Sequence, residues 1–326
     1  MKLVYVFLLL YIFCLNKFAT TWCHNPYLRR QMRLKTGASS NGSLLSVEAG
    51  PVNGEIIDHV AVYKSIPFFV TNFYGAMATL DVFESLGPNV GQISAEIWVA
   101  NYQEGHYENL NVLQAGWSIA PSYYGDNKTH FVVGWTADGY NSTGCIDLKC
   151  TGFVPVNYAP ITPGDTLDVK SKITIKIFKS KDDGDWWLHF ARGGEKLAPV
   201  GFWPKSLFNT LDRYADHIQW GGYTSSILGN PSPPMGNGHW PSENSATFQD
   251  LQYINEDEMV YPPLPEPGIQ SYVSHKECYQ VSRFLNNKFS YGGLEVVLIS
   301  IAIQYNSMFN NYCNFSRICM AKSLVI

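Results

Sequence analysis

The stretch LQAGWSIAPSYYGDNKTHFVVGWTADGYNSTGCIDLKCTGFV, residues 113–154, gives the clearest indication of the fold. It holds two tryptophan-centred strand candidates, Val112–Ile119 and His130–Thr136, separated by a Tyr-Gly-Asp turn. An Asp-Gly turn follows, and a third candidate, Gly144–Val154, contains the cysteine pair Cys145 and Cys150. Strands joined by tight turns are typical of antiparallel sheets.

Alternating apolar and polar residues predict further strands on both sides of this stretch. Ile93–Tyr102 places Ile93, Ala95, Ile97 and Val99 on one face and Ser94, Glu96 and Trp98 on the other. Thr166–Phe178 alternates in the same way, from Leu167 and Val169 to Ile177. A hairpin turn at Lys179–Asp185 leads into a returning strand, Trp186–Arg192.

One helix is predicted. Apolar residues recur at intervals of three and four from Leu207 to Ile218, and Pro204 occupies a favourable first helical position. About ten strands and one short amphipathic helix, at about 204–218, predict an all-β fold. We expect an antiparallel β-sandwich of two packed sheets.

Composition excludes one class of partner. The 326 residues include 23 basic and 27 acidic side chains, so no basic surface for nucleic acid is indicated. Aromatic residues make up 14% of the chain, which suits strands. We expect a monomer without a nucleic-acid partner.

The N-terminus has the pattern of a secretory signal peptide, which we place at residues 1–21. Lys2 precedes a 13-residue apolar core, Leu3–Leu15, and small residues follow. The alternative is a membrane anchor, but a spanning helix needs about 20 apolar residues. We therefore expect a protein that is secreted to the extracellular space or cell wall, with no membrane attachment after cleavage. Four sequons are candidate N-glycosylation sites: Asn41, Asn127, Asn141 and Asn314.

No motif for metal, cofactor or serine-hydrolase chemistry is present, so neither a metal nor a cofactor is expected. Cys145 and Cys150 enclose four residues and predict a small-loop disulfide, with a metal or redox pair as the alternative. Trp98, Trp117 and Trp135 fit either a ligand groove or a core, as does Trp220. Residue patterns alone stop at a secreted, disulfide-bearing β-sandwich.

Three motifs add a resemblance to a known family. The opening stretch, PVGFWPKSLFNTLDRYADHIQWGGYTS at 199–225 and SPPMGNGHWP at 232–241 resemble the plant neprosin family of secreted glutamic peptidases. The order and spacing match from Tyr74 to Gly293. The resemblance implies a β-sandwich, synthesis as a zymogen and cleavage of peptides after proline. It also implies a catalytic pair of glutamates, one a general base and the other a protonated acid.

Both positions that the resemblance assigns to these glutamates are substituted here, by Gln114 and Tyr223. An amide can donate a hydrogen bond to an oxyanion but cannot exchange a proton, and a related group of glutamic peptidases works with a Gln/Glu pair. A phenol, with an ordinary pKa of about 10, is no base at acidic or neutral pH. Asp138 and Glu243 are nearby replacement candidates. The implied substrate groove consists of Trp117, Trp135, Trp220, Gly221 and Gly222.

The ends of the matched region depart from the family pattern. Asn53–Phe69 resembles the end of the family's activation peptide and runs almost directly into the catalytic domain. We divide the chain into a signal peptide (1–21), a shortened activation-peptide-like segment (22–70), the neprosin-like sandwich (71–293) and a divergent tail (294–326). The tail begins with a ten-residue apolar run, Leu294–Ile303, interpreted as a buried or aggregation-prone strand. The pairing of Cys23, Cys278, Cys313 and Cys319 stays open, with Cys278 either unpaired or paired to Cys313 or Cys319.

These residues predict a neprosin-like protein with impaired peptidase activity that retains a groove for a peptide or a cell-wall polymer. One alternative is an active peptidase with a rearranged acid/base set. The other is a cell-wall carbohydrate-binding sandwich that uses tryptophan side chains.

Overall fold

The structure is a computed structural model, and it describes residues 56–66, 72–84, 91–102, 109–227 and 230–294. It also describes two further strand backbones, 296–301 and 316–321. The predicted signal peptide, Asn41, Cys23, Cys313 and Asn314 lie outside the described residues.

The first sheet has seven strands in the order β14-β1-β11-β3-β4-β5-β6, and all neighbours are antiparallel. Its strands are β1 (Ile56–Ser65), β3 (Gln92–Asn101), β4 (Asn111–Ile119), β5 (His130–Thr136), β6 (Cys145–Ile146), β11 (His217–Ile227) and β14 (Ile269–Val273).

The second sheet has nine strands in the order β15-β16-β12-β2-β8-β9-β10-β7, with β13 paired to β12. Its strands are β2 (Gly75–Asp81), β7 (Val154–Pro155), β8 (Lys172–Lys179), β9 (Trp186–Arg192), β10 (Ala198–Trp203), β12 (Ala246–Ile254), β13 (Val260–Tyr261), β15 (Gln280–Val281) and β16 (Lys288–Gly292). The pairings are again antiparallel.

The two sheets pack face to face around one apolar core. Trp117 of the first sheet donates its indole N–H to the Asp81 carbonyl of the second over 2.8 Å. Phe131 and Phe190 meet edge to face with ring centroids 5.0 Å apart. The predicted antiparallel β-sandwich is confirmed, because each sheet buries one face against the other.

The predicted helix at about 204–218 is wrong. The only helical turn there is a 3₁₀ turn at Lys205–Leu207, and β11 begins at His217. The buried Asn111 side chain explains the difference, since its Oδ1 accepts hydrogen bonds from the backbone N–H groups of Asn209, Thr210 and Leu211. These bonds hold a non-helical turn. The apolar spacing instead reflects side chains that enter the core one by one: Phe208, Leu211, Ala215 and Ile218. The α-helix found in the described residues is the single turn α1 (Pro121–Tyr124).

Two strand predictions are too long. The strand predicted at Thr166–Phe178 is observed as β8, from Lys172, because the chain turns at Lys170, where φ is 61°. Leu167 is buried but Val169 is exposed. The candidate at Gly144–Val154 forms only the two-residue strands β6 and β7, since its cysteine loop turns between them.

Strand β1 joins the sandwich although it lies within the segment predicted to resemble an activation peptide. It pairs with β11 on one side and β14 on the other, so the first sheet includes residues before position 71. An activation role for this segment stays a prediction. After the sandwich, β17 (Val296–Ile301) pairs with β18 (Ser316–Ala321) as a separate two-stranded sheet. The predicted run Leu294–Ile303 therefore contains a strand, β17. Whether its side chains are buried stays a prediction. In the described part of the chain, no helix has the length and apolarity needed to cross a membrane.

The predicted disulfide between Cys145 and Cys150 is confirmed. Cys278 is also disulfide-bonded, so the unpaired alternative for this residue is wrong.

Replacing Cys145 and Cys150 together by serine is expected to lower the free energy of unfolding by about 2 kcal/mol, because the unfolded chain regains the entropy of a small loop. Chemical denaturation of the double variant under non-reducing conditions measures this loss. An unchanged denaturation midpoint contradicts a stabilising role for the disulfide.

Candidate functional site

The site lies on the outward face of the seven-stranded sheet, the face turned away from the nine-stranded sheet. Strand β3 shows the division clearly, with Ile93, Ala95, Ile97 and Val99 buried in the core as predicted. The alternate residues Ser94, Glu96 and Trp98 therefore point to the outward face. Strands β4 and β11 flank β3 and contribute their own outward residues.

Gln114 and Tyr223 both lie on this face. Gln114 is opposite Trp98 of β3 and Gly134 of β5, whereas Tyr223 is opposite Ser94 of β3 and Val60 of β1. The two positions thus have one strand, β3, between them, and they are offset by four residues along it. Standard sheet spacings of about 4.8 Å between strands and about 3.4 Å per residue put their Cα atoms about 17 Å apart, which leaves room for a third side chain between them.

The side chain of Gln114 is oriented by Tyr140. The Tyr140 hydroxyl donates a hydrogen bond to Gln114 Oε1 over 2.9 Å, and the Tyr140 backbone N–H is itself bound by Thr136 Oγ1 at 2.7 Å. Burial raises the pKa of Tyr140, so the hydroxyl stays a donor. Because Oε1 accepts this bond, the amide nitrogen of Gln114 is presented as a donor toward the site.

Tyr223 is engaged in a different way. Its hydroxyl donates a hydrogen bond to Asp58 Oδ1 of β1 over 2.5 Å. A phenol that donates to a carboxylate supplies no base, which agrees with the role expected from its residue type.

Glu96 occupies the point between these two residues. It lies directly opposite Gly116 of β4 and Gly221 of β11, and these glycines have no side chain to separate it from Gln114 and Tyr223. Its exposed fraction is 2%, and Oε2 has no hydrogen-bond partner among the described residues. Burial raises the pKa of Glu96 to about 7, against a lowering by the Ser94 hydroxyl, and the negative Asp147 adds to the rise.

Asp147 is a second buried carboxyl near this point. It accepts hydrogen bonds from the Tyr124 hydroxyl at 2.9 Å and from the Val133 backbone N–H at 3.1 Å. Burial raises its pKa to about 6, and the two hydrogen bonds oppose that rise. Tyr124 is fixed in turn by stacking on His130, with ring centroids 3.9 Å apart. The outward face therefore holds two carboxyl groups that titrate near neutral pH.

Sequence reasoning missed Glu96 and Asp147 as site residues. Alternation along β3 correctly placed Glu96 on the polar face, but it does not give the register with β4 and β11. Asp147 lies inside the cysteine loop with φ 54°, where no periodic pattern operates. A buried acidic residue opposite two glycines is visible only after the strands are paired.

The replacement acids suggested by sequence proximity have other surroundings. The carboxylate of Asp138 accepts bonds from the backbone and hydroxyls of Ser142 and Thr143, and so closes its own loop. Burial tends to raise the pKa of Asp138, but these hydrogen bonds lower it overall. Glu243 is exposed in a turn outside the strands. Neither Asp138 nor Glu243 lies on a strand that is paired with the strands of Gln114 and Tyr223.

The predicted groove requires correction. The side chains of Trp117 and Trp220 are fully buried between the sheets, and Trp135 is only 8% exposed, so these three belong to the core. Gly222 also faces inward, since a Cβ there would lie 2.6 Å from the Tyr291 ring. Of the five predicted groove residues, Gly221 is the one on the outward face. Side chains alternate between the two faces of a strand, so Trp220 points into the core although its neighbour Gly221 lies on the outward face.

Asn127 and Asn141 are exposed in turns, and their glycosylation stays a prediction. A separate pocket of about 680 Å³ lies beside the starts of β2 and β9 and is lined by both acidic and basic residues, among them Lys179, Arg213 and Glu256. Within the described ranges, no cluster of three or more His, Cys, Asp or Glu side chains is arranged to hold a metal ion.

Comparison with known proteins gives one family and several distant structural likenesses. A family model described as Neprosin matches residues 91–294, which is more than half of the chain. A scytalido-glutamic peptidase solved with a transition state analog inhibitor is 11% identical, with 73% of this chain and 100% of that chain covered and a TM-score of 0.43. SCP-B, a member of the Eqolisin family of peptidases solved with the tripeptide Ala-Ile-His, is 11% identical, with coverage of 74% and 100% and a TM-score of 0.40.

A carbohydrate-binding module, the Ruminococcus gnavus IT-sialidase CBM40 bound to α2,3 sialyllactose, is also similar. It is 12% identical, with 54% of this chain and 91% of that chain covered and a TM-score of 0.27. Such low identities and TM-scores assign no ligand or reaction to this chain.

Proposed function

Because this chain belongs to the neprosin family, we propose that it binds peptides on the outward face of its seven-stranded sheet and that the family's two-glutamate hydrolysis is impaired in it. The observation that carries the proposal is the set of hydrogen bonds made by Gln114 and Tyr223, which occupy the positions of the family's two catalytic glutamates. Gln114 presents an amide, and the Tyr223 hydroxyl donates a hydrogen bond to Asp58.

The impairment follows from acid/base chemistry. The family reaction needs one carboxylate to take a proton from water and one protonated carboxyl to donate a proton. An amide does neither, and a phenol with a pKa near 10 is no base in acidic solution. At acidic pH the site therefore lacks the base that attack by water requires.

Peptide binding is supported by what the outward face still offers. The Gln114 amide nitrogen can donate a hydrogen bond to a backbone carbonyl, and Trp98 lies directly across the strand pair from it. Trp98 is only partly buried, so its indole has a surface on which an apolar or proline side chain can pack. A binding face with one oriented amide and one aromatic surface suits an extended peptide.

We also propose that the protein is secreted to the extracellular space or cell wall. The N-terminal apolar pattern, the Cys145–Cys150 disulfide and the family support this location. The carbohydrate-binding alternative loses its main support, because Trp117, Trp135 and Trp220 are core residues.

Replacing Trp98 by alanine is expected to weaken binding of a proline-containing peptide about tenfold or more, because the aromatic surface beside Gln114 is removed. Titration calorimetry with the purified protein at acidic pH measures the dissociation constant. A matched control is Trp187→Ala, since Trp187 is a partly buried tryptophan on the other sheet's outward side. Equal loss in both variants, or robust cleavage by the unaltered protein at acidic pH that Gln114→Ala abolishes, contradicts the proposal.

A further inference from the structure

One carboxyl group stands where the substituted pair would meet. Glu96 lies on β3, the strand between β4 and β11. It is paired with Gly116, two positions from Gln114, and with Gly221, two positions from Tyr223. The diagonal between the two dyad positions passes over it. The middle strand therefore supplies an acid at the centre of a site whose flanking strands have lost theirs.

The residues paired with Glu96 on both neighbouring strands are glycines. A Cβ at Gly116 would lie 2.0 Å from the Ala95 carbonyl oxygen, and one at Gly221 would lie 2.4 Å from the Ala61 carbonyl oxygen, so both positions require glycine. Glu96 is thus the one side chain in its row across these three strands. Its Oε2 is buried without a hydrogen-bond partner in the described part of the chain, which is costly unless a ligand group or water completes it.

We propose that Glu96 is a catalytic residue, the general base of a slow peptide hydrolysis in which the Gln114 amide holds the carbonyl oxygen. This rests on the proposed peptide binding and goes beyond it, because the family's glutamate positions take no acid/base part. Glu96 touches the attacking water, and Gln114 touches the substrate.

The reaction balances with one water and one peptide bond. A proton moves from water to Glu96 Oε2 as the water oxygen bonds to the carbonyl carbon, and the Gln114 N–H stabilises the charge on the carbonyl oxygen. The C–N bond then breaks as Glu96 returns the proton to the leaving nitrogen. The products are a carboxylic acid and an amine, and the enzyme is restored.

The groups around Glu96 set the direction of its pH dependence. Burial and the negative Asp147 disfavour the charged form, so the pKa of Glu96 is raised to about 7. The remaining polar groups that face the same region are neutral phenols or already paired: Tyr140 beside Gln114, Tyr124 bound to Asp147, and Tyr223 bound to Asp58. A general base acts when ionised, so hydrolysis increases as the pH rises through about 7 rather than in the acidic range.

The test compares Glu96→Gln with the unaltered full-length protein on a quenched fluorescent proline-containing peptide from acidic to mildly alkaline pH. We expect slow cleavage that increases with an apparent pKa near 7, and a loss of kcat of about 100-fold or more in Glu96→Gln. The dissociation constant of the peptide is expected to change by less than about twofold, because the amide keeps the size of the side chain. The matched control is Glu243→Gln, which alters an exposed glutamate in a turn and leaves cleavage unchanged.

A thermal melt separates a chemical role from a structural one. Glu96→Gln is expected to melt at no lower temperature than the unaltered protein above pH 7, since it removes a buried charge. Peptide binding without cleavage at any pH, or full activity in folded Glu96→Gln, overturns the catalytic role and leaves the proposed binding function standing. Absence of binding overturns both.

Discussion

Replacing Gln114 and Tyr223 together by glutamate is expected to raise proline-directed cleavage at about pH 4–5 by at least about 100-fold. The carboxyl introduced at position 114 would receive the Tyr140 hydroxyl bond that now reaches Oε1 and would be held ionised. The carboxyl at position 223 would lie near Asp58, which favours its protonated form. One base and one acid would then face each other across the site.

The central Glu96 does not oppose this restored pair in acidic solution. Its pKa of about 7 keeps it neutral at pH 4–5, so it adds no like charge between the two new carboxyl groups. Above pH 7 it ionises and raises the cost of a second carboxylate beside it. Restored activity is therefore expected to be greatest in the acidic range and to decline as the pH rises.

Steady-state kinetics on the same fluorescent peptide measure this gain as kcat/KM. Gln114→Glu alone is the control, and it is not expected to reach a tenth of the activity of the double variant, because the Tyr223 phenol still takes the place of the second carboxyl group. A folded double variant that binds the peptide and remains inert shows that the outward face has diverged from the family geometry beyond these two positions.

Replacing Asn111 by alanine is expected to lower the free energy of unfolding by about 3–5 kcal/mol, because each buried N–H left without a partner costs about 1–3 kcal/mol. Asn111 is fully buried, and its Oδ1 accepts three backbone bonds from 209–211. Its Nδ2 donates to Asn109 O, Ala137 O and Asn209 Oδ1. The single side chain joins the start of β4, the turn after β5 and the segment before β11.

Equilibrium denaturation followed by tryptophan fluorescence measures this loss. Asn255→Ala is a suitable control, because Asn255 Oδ1 also accepts two backbone bonds, from Asp257 and Met259, but in an exposed turn. Water can replace these bonds, so the control is expected to lose less than about 1 kcal/mol. Equal losses in the two variants contradict the structural role given to the buried Asn111.

The glutamate and Asn111 replacements report on different properties of the molecule. The glutamate replacements test chemistry on an outward face that the core holds in register. The Asn111 replacement tests a junction on which that register depends, since β4 carries Gln114 and the segment after residue 209 leads into β11 and Tyr223. Loss of activity in a destabilised Asn111 variant would therefore not identify a catalytic role.

Residue patterns alone were enough to predict the β-sandwich, the Cys145–Cys150 disulfide and the position of Glu96 on the polar face of its strand. These features depend on alternation along one strand and on closure of a short loop, and both involve residues that are close together in the sequence. The motifs also pointed to the neprosin family and to the two substituted positions. The helix predicted at 204–218 is wrong because apolar residues at intervals of three and four also occur in an irregular segment that packs against a core.

The acid that lies between Gln114 and Tyr223 can be identified only from the tertiary structure. Pairing β3 with both β4 and β11 places Glu96 opposite Gly116 and Gly221, and the β3–β11 pairing joins residues more than 100 positions apart. It also sends Trp117 and Trp220 into the core and brings Asp58 to Tyr223. Burial and neighbouring charge, which arise only when the sheet is assembled, then raise the pKa of Glu96 to about 7.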